Sequence, residues 1–219
     1  FLSKLEEIST GDYPSEFLVE VQARLYLYRL SSLLNTGQFK AASDLAEENS
    51  EFVSKKATTA GPETQLRLAL FSAILHLCLG EPAKARKSMK KIFGSGKSFH
   101  TLPSYRTARL VNLLIQAESG NYDFFVNEIT SIKRNIRYEK QTYRTEKLLF
   151  RFLLAHPLPI YKKDREKLRQ QYRKEITLIR QDKYEKQLLK TFDFTAWVES
   201  RLTGTPLREI LTGTKKGAV

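Results

Sequence analysis

The chain has 219 residues with a single cysteine, and 37 Lys and Arg against 24 Asp and Glu give a formal net charge of +13. One cysteine excludes an intramolecular disulfide and any metal site built from several cysteines. The hydrophobic fraction of 41%, with 13 Phe and 10 Tyr, is too high for a chain that is disordered over most of its length. No run of 18 apolar residues occurs, so the sequence predicts no membrane span.

Helical periodicity runs through the chain. Apolar residues recur at i, i+3 and i+4 spacing in five segments, and Pro14 suits the first turn of the earliest one. The predicted helices cover about 14–35, 66–77, 110–117, 141–155 and 161–181. Alternating strand patterns with tight-turn dipeptides are absent from the sequence. We therefore predict an all-α protein.

Three of the predicted helices end at a glycine that is followed at once by a second helical segment. The glycines are Gly37, Gly80 and Gly120, which lie 43 and 40 residues apart. Glycine readily takes the left-handed conformation that ends a helix. An aromatic residue or proline follows two positions later, and a small or apolar residue three positions after that. A spacing of this size indicates a helical repeat.

The turn motif resembles that of the tetratricopeptide repeat family, in which Gly, an aromatic residue and Ala recur at the turn of a helical hairpin. The matching positions are Gly37, Phe39 and Ala42, then Gly80, Pro82 and Ala85, then Gly120, Tyr122 and Phe125. The period is longer than the family's repeat of about 34 residues. The resemblance covers about 14–180 and implies a right-handed α-solenoid of about four helical hairpins.

The C-terminal part of the predicted array is irregular. Pro157 and Pro159 replace glycine at a fourth turn, because proline ends a helix as firmly. Repeat arrays need an atypical last element to cover the exposed apolar face, so we interpret 182–211 as a helical cap with Trp197 in its core. We expect one repeat domain over 1–211 and a disordered tail over 212–219.

The resemblance also implies where a partner would bind. In the family, the first helix of each hairpin lines a concave groove. The position thirteen residues before the turn glycine is Arg24, Arg67 and Thr107 in the three hairpins here. Pro157, taken as the fourth turn, adds Arg144. Four more cations lie on the same predicted helices, namely Arg106, Arg109, Lys147 and Arg151. A partly basic groove of this kind would bind an acidic or phosphorylated protein segment. The alternative is that these cations are ordinary solvated residues.

A second cluster of charge lies toward the C-terminus. Residues 1–60 carry a net charge of −3, residues 61–120 carry +6, and residues 133–190 alone carry +11. On a helix, Lys162, Arg169, Arg173 and Arg180 form one row beside an apolar stripe that contains Tyr172. This region predicts the alternative function, a helical-repeat module that binds nucleic acid through phosphate contacts or has a regulatory role. A solvated helical exterior explains the same charge without any ligand.

The sequence carries no catalytic, cofactor or metal motif that we can identify. Gly96-Lys97-Ser98 ends like a phosphate-binding loop, but Lys91 occupies the place of its first glycine. The three histidines lack ligand spacing. We therefore expect a non-catalytic scaffold or adaptor without cofactor, located in the cytoplasm. Because the sequence starts at Phe1, we interpret it as a fragment or processed product whose signal peptide, if any, lies outside it.

Overall fold

The computed structural model describes residues 2–94, 96–139, 142–155 and 162–216. Every regular element in these ranges is helical, which confirms the predicted all-α class. Contacts between backbones divide the chain into two compact units. We call Phe1–Leu34 with Gln38–Asn112 the N-terminal unit, and Asn35–Gly37 with Leu113–Val219 the C-terminal unit. The prediction of one repeat domain over 1–211 stays a prediction.

The N-terminal unit is built on the first helices of the chain. These are α1 (Leu2–Ser9), α2 (Ser15–Asn35), α3 (Phe39–Glu48), α4 (Pro62–Cys78) and α5 (Pro82–Phe93). A π-helical turn, Phe52–Lys56, and a 3-10 turn, Ala57–Thr59, join α3 to α4, and a second 3-10 turn, Gly96–Phe99, follows α5. The boundary between the units falls inside α6 (Pro103–Glu118). Helix α4 packs against α5 and α3, and it buries Leu66, Leu70 and Ile74 completely.

The C-terminal unit contains the remaining helices. They are α7 (Asp123–Glu139), α8 (Arg144–Leu154), α9 (Lys162–Gln181), α10 (Glu185–Leu189), α11 (Phe194–Thr203) and α12 (Leu207–Lys216). Helix α8 packs between α7 and α9, and α11 packs against α8, α9 and α12. The Phe152 ring makes edge contacts with Tyr172 at 5.8 Å and with Trp197 at 5.7 Å between centroids. Trp197 is 3% exposed, so its predicted place in the core is confirmed.

The predicted turn glycines have the predicted conformation. Gly37, Gly80 and Gly120 have φ values of +72°, +73° and +71°. At Gly80 the N–H of Glu81 donates to the His76 carbonyl, and the glycine's own N–H donates to Leu77. These two hydrogen bonds satisfy backbone carbonyls that would otherwise lack a partner in the last turn of the helix. They form only when the residue at the glycine position has a left-handed conformation. The turn residues Pro157 and Pro159 lie outside the described residues.

Helix α12 ends at Lys216, so it overlaps the first residues of the tail that the sequence predicted to be disordered over 212–219. Residues 217–219 lie outside the described residues. The Thr212 hydroxyl donates to the carbonyl of Arg208 at 3.1 Å, so it is satisfied inside the helix. Leu211 is 4% exposed, which ties this part of the helix to the unit. Among the described residues, no helix is both long and apolar enough to cross a membrane.

Candidate functional site

The solvent-facing side of α8 is almost entirely cationic. The exposed residues of this helix are Arg144, Lys147, Arg151 and Leu154, and all its other residues are buried. At 100° per residue the three cations lie within about 60° of one another around the helix axis. They span about 10 Å along it, since each residue adds about 1.5 Å. We call Arg144, Lys147 and Arg151 the α8 row.

Two carboxylates hold the start of α8 in place. The backbone N–H of Tyr143 donates to Glu146 Oε2 at 3.0 Å, and Glu146 is fully buried. Glu185, from α10, accepts hydrogen bonds from the Arg144 and Thr145 backbone N–H groups, and one of 2.8 Å from the Thr145 hydroxyl. Free N–H groups at a helix N-terminus favour a carboxylate partner. The first turn of α8 is therefore fixed, and Arg144 projects from a rigid position.

The last cation of the row is oriented by α9. The Arg151 guanidinium forms an ion pair with Glu175, and its Cζ lies 5.0 Å from the centre of the Tyr172 ring. Burial raises the pKa of Tyr172, so this phenol stays neutral near pH 7. On the α7 side, Lys133 Nζ lies 5.9 Å from the centre of the Phe150 ring. The α8 row thus has an ordered guanidinium at one end and a further lysine beside it.

The remaining residues of the predicted groove lie in the N-terminal unit. Arg24 is exposed, whereas Arg67 and Arg106 are half-buried. Arg109 is only 8% exposed, because it lies on a stretch of α6 whose neighbours are buried. A side chain that is this buried cannot contact a partner unless α6 rearranges. The structure therefore groups Arg144, Lys147 and Arg151, and the four other predicted arginines stand in the other unit.

The four residues of the predicted row on α9 do not share one environment. Arg173 is exposed, and Arg169 is exposed with its guanidinium 3.7 Å from Glu166. Arg180, by contrast, donates to Thr195 Oγ1 at 3.0 Å and to Glu199 Oε2 at 3.1 Å, both on α11. The side chain of Lys162 lies outside the described residues. Half of the predicted row is thus open to solvent, and Arg180 connects two helices.

The α8 row and the exposed arginines of α9, Arg169 and Arg173, lie on opposite sides of α9. Glu175 meets Arg151 of α8, and Arg180 meets Glu199 of α11. The helical rotation places these two residues of α9 about 140° apart, on either side of the buried Tyr172 stripe. The α8 row and the exposed arginines of α9 therefore do not merge into one strip. A ligand that follows the α8 row would leave Arg173 free.

Sequence reasoning missed Glu185 and the exposure of Tyr184. Glu185 comes 40 residues after the helix that it caps, and no local pattern indicates such a distant acceptor. Tyr184 is 66% exposed, and Lys183 Nζ lies 5.0 Å from its ring centre. An aromatic residue directly before a short helix carries no sequence signal that separates a buried ring from an exposed one.

Comparisons with protein-family models, with curated proteins and with solved structures find no match for this chain. The case for a functional site therefore depends on the geometry of the chain itself.

Proposed function

We propose that this protein is a non-catalytic interaction module that binds an acidic segment of a partner protein along the α8 row. The observation that carries the proposal is the exposure pattern of α8, in which three of the four exposed side chains are cations. Glu146, the single acidic residue of α8, is buried, and Glu175 of α9 already pairs with Arg151, so Arg144 and Lys147 supply most of the net positive charge of this surface. Such a surface attracts carboxylates or phosphates and repels basic partners.

The spacing of the row fits an extended segment. The row spans about 10 Å, and an extended chain advances about 3.3 Å per residue, so it faces about three residues of the partner. Acidic side chains at alternate positions of that segment would point to the same side and meet the row. Arg151 is already oriented by Glu175 and Tyr172, so it loses less conformational entropy on binding than a free arginine would.

The resemblance to tetratricopeptide repeats is part of the same proposal. Left-handed glycines at the turns that follow α2, α4 and α6 support it. A right-handed solenoid with residues 182–211 as its cap, acting as a cytoplasmic scaffold, is the arrangement we propose on that basis. In this arrangement Arg24 and Arg67 would contribute to partner binding from the first two hairpins.

A pair of charge-reversal variants tests the α8 row. The probe is a fluorescent ten-residue peptide of alternating Asp and Ser, titrated at about 50 mM salt. The Arg144→Glu, Lys147→Glu double variant should weaken binding about tenfold, the effect of losing two exposed ion pairs of about 0.7 kcal/mol each. The first turn of α8 already holds the carboxylates of Glu146 and Glu185, so circular dichroism must first show that the double variant folds.

The matched control carries the same charge change on the neighbouring helix. Lys167 and Lys174 are exposed on α9, and the Lys167→Glu, Lys174→Glu variant should weaken binding less than about threefold. If the two double variants weaken binding equally, the affinity depends only on the net charge of the protein and not on the α8 row, and the proposal is wrong.

Nucleic acid binding is the second candidate, and the exposure of Tyr184 favours it. The ring is 66% exposed beside Lys183, and Lys186 and Lys190 are exposed along the following turn. A base stacked on an aromatic ring contributes about 1–3 kcal/mol. A fluorescent single-stranded 12-mer should then bind at about 50 mM salt, more weakly at about 200 mM, and more weakly to Tyr184→Ala. The absence of binding at the lower salt would exclude this candidate.

A further inference from the structure

The N-terminal unit contains a cavity that the sequence did not predict. It has a volume of about 220 Å³ and lies among the π-helical turn, the 3-10 turn Ala57–Thr59, α4, α5 and the 3-10 turn that ends at Phe99. Its walls include Val53, Leu68 and Phe99, and Ser72, Ser88 and Lys91 supply polar groups. A cavity of about 150 Å³ accepts a benzene molecule, so this one has room for a branched or aromatic side chain.

Hydrogen bonds define the shape of the cavity. Gln65 Nε2 donates to the carbonyls of Thr58 at 2.8 Å and Ala60 at 2.7 Å, which fixes the loop before α4 to that helix. The Ser72 and Ser88 hydroxyls lie 3.0 Å apart and join α4 to α5. The neighbouring π-helical turn has the wider backbone that recurs at functional sites. These bonds do not require a ligand, so the cavity is formed in the free protein.

One edge of the cavity is strongly basic. Helix α5 contains Lys84, Arg86, Lys87, Lys90 and Lys91, all exposed, and it contains no acidic residue. Ser88 and Lys91 line the cavity, and helical rotation places Lys84 and Lys87 on the same flank of α5. Lys91 lines the cavity, and the exposed Lys87 on the same flank of α5 adds a second positive charge at this edge. We call Lys87 and Lys91 the lysine rim.

We infer that this cavity receives one apolar side chain of a short acidic peptide segment whose carboxylates meet the lysine rim of α5. The cavity sets the size of the anchor, and the rim sets the charge of the residues on either side of it. An acidic segment without an anchor would leave the cavity unfilled, and a basic segment would be repelled. This site uses residues of the N-terminal unit alone, so it is independent of the α8 row.

Two synthetic peptides separate the contribution of the apolar side chain to binding from that of the acidic residues. Both are nine residues long with Asp and Ser around a central position that is Phe in one peptide and Ala in the other. The full chain should bind the Phe peptide at least about tenfold more tightly, and methyl resonances of Val53 and Leu68 should shift only with that peptide. Equal affinities, or unshifted methyl resonances with the Phe peptide, would overturn the inference.

Variants of the chain then locate the effect. Ala69 also lines the cavity, and Ala69→Leu fills it from the α4 side, so the preference for Phe over Ala should fall to less than about twofold. Lys87→Glu should weaken both peptides about fivefold or more. Lys90 lies about 100° around α5 from the cavity-lining Lys91, against about 40° for Lys87, so Lys90→Glu should weaken them about half as much or less. A preserved Phe preference in folded Ala69→Leu, or equal effects of the two lysine variants, would place binding elsewhere.

The test also separates this site from the α8 row. The Arg144→Glu, Lys147→Glu variant should keep the full Phe preference, since it alters only the C-terminal unit. Loss of the preference in that variant would overturn the inference. If circular dichroism shows that Ala69→Leu does not fold, the inference is tested by the methyl shifts and by the comparison of Lys87→Glu with Lys90→Glu.

Discussion

Thr64 Oγ1 donates a hydrogen bond of 3.0 Å to Glu20 Oε1, which joins the first turn of α4 to α2. Ser104 makes the same kind of bond to Glu63, from the first turn of α6 to α4. Thr64 and Ser104 each lie sixteen residues before a turn glycine, and Glu20 and Glu63 each lie seventeen residues before one. The repeat seen in the turns therefore recurs in a contact between successive long helices.

Loss of this contact should destabilise the N-terminal unit. Ser104→Ala removes the hydroxyl that Glu63 accepts from, and the second carboxylate oxygen of Glu63 is buried with no hydrogen-bond partner in the described part of the chain. We expect a loss of about 1–3 kcal/mol in the free energy of unfolding, measured by denaturant titration with circular dichroism. Ser50 is exposed, and Ser50→Ala is the control, with a change below about 0.5 kcal/mol. A Ser104→Ala change as small as the control's would contradict the role of the contact.

The three turn glycines should not respond equally to substitution. At each of them, alanine would adopt the left-handed conformation at a cost of about 1–2 kcal/mol in the free energy of unfolding. A Cβ at Gly80 or Gly120 would meet no atom within 4 Å, but at Gly37 it would lie 2.9 Å from the Arg208 carbonyl oxygen. Thermal unfolding should therefore rank Gly37→Ala as the most damaging by about 1 kcal/mol or more. Asparagine, which tolerates this conformation, should cost less than alanine at Gly80. Equal losses at all three glycines would contradict the close approach of the Arg208 backbone to Gly37.

Glu185 should matter more for stability than its exposed neighbours. Glu185→Ala leaves two N–H groups and a hydroxyl of the first turn of α8 without their acceptor, so about 2–3 kcal/mol should be lost. Glu185→Gln keeps one acceptor oxygen and should lose less. Trp197, the single tryptophan, is buried in the same unit, and its fluorescence reports the transition. Lys186→Ala, at an exposed position, should stay within about 0.5 kcal/mol of the wild type.

Arg173 and Arg180, seven residues apart on α9, should behave differently. Arg180→Ala removes hydrogen bonds to Thr195 and Glu199 and should reduce the free energy of unfolding by about 1–2 kcal/mol. Arg173 is exposed, so Arg173→Ala should change it by less than about 0.5 kcal/mol. Both values come from denaturant titration followed by Trp197 fluorescence. Similar effects of the two substitutions would mean that Arg180 does not connect α9 to α11.

Glu81 should make the stability of the fold depend on pH through the turn between α4 and α5. The hydrogen bond from Lys84, and then that from His76, lowers the pKa of Glu81 below its ordinary value of 4.5. A carboxyl whose pKa is lower in the folded state stabilises the fold above its unfolded pKa, and this contribution disappears as the pH falls through the folded value. The melting temperature of the wild type should therefore exceed that of Glu81→Gln at about pH 7, and this difference should shrink as the pH is lowered below the ordinary pKa of about 4.5.

A control carboxylate accompanies the pH experiment. Glu48 is exposed and makes no ion pair within the described residues, so Glu48→Gln should show a smaller difference from the wild type at about pH 7. If Glu81→Gln and Glu48→Gln follow the same pH course, the bonds to Lys84 and His76 do not stabilise the turn.

Local patterns in the sequence determined the helical class, the left-handed glycines at 37, 80 and 120, and the burial of Trp197. These features follow from apolar periodicity and from the backbone freedom of glycine, which act over a few residues. Only the tertiary structure decided which cations face solvent. Glu199 engages Arg180 from 19 residues away, Glu185 caps α8 from 40 residues away, and the cavity beside α5 is lined by five elements. Such partners meet only when the chain folds, because no short-range spacing encodes them.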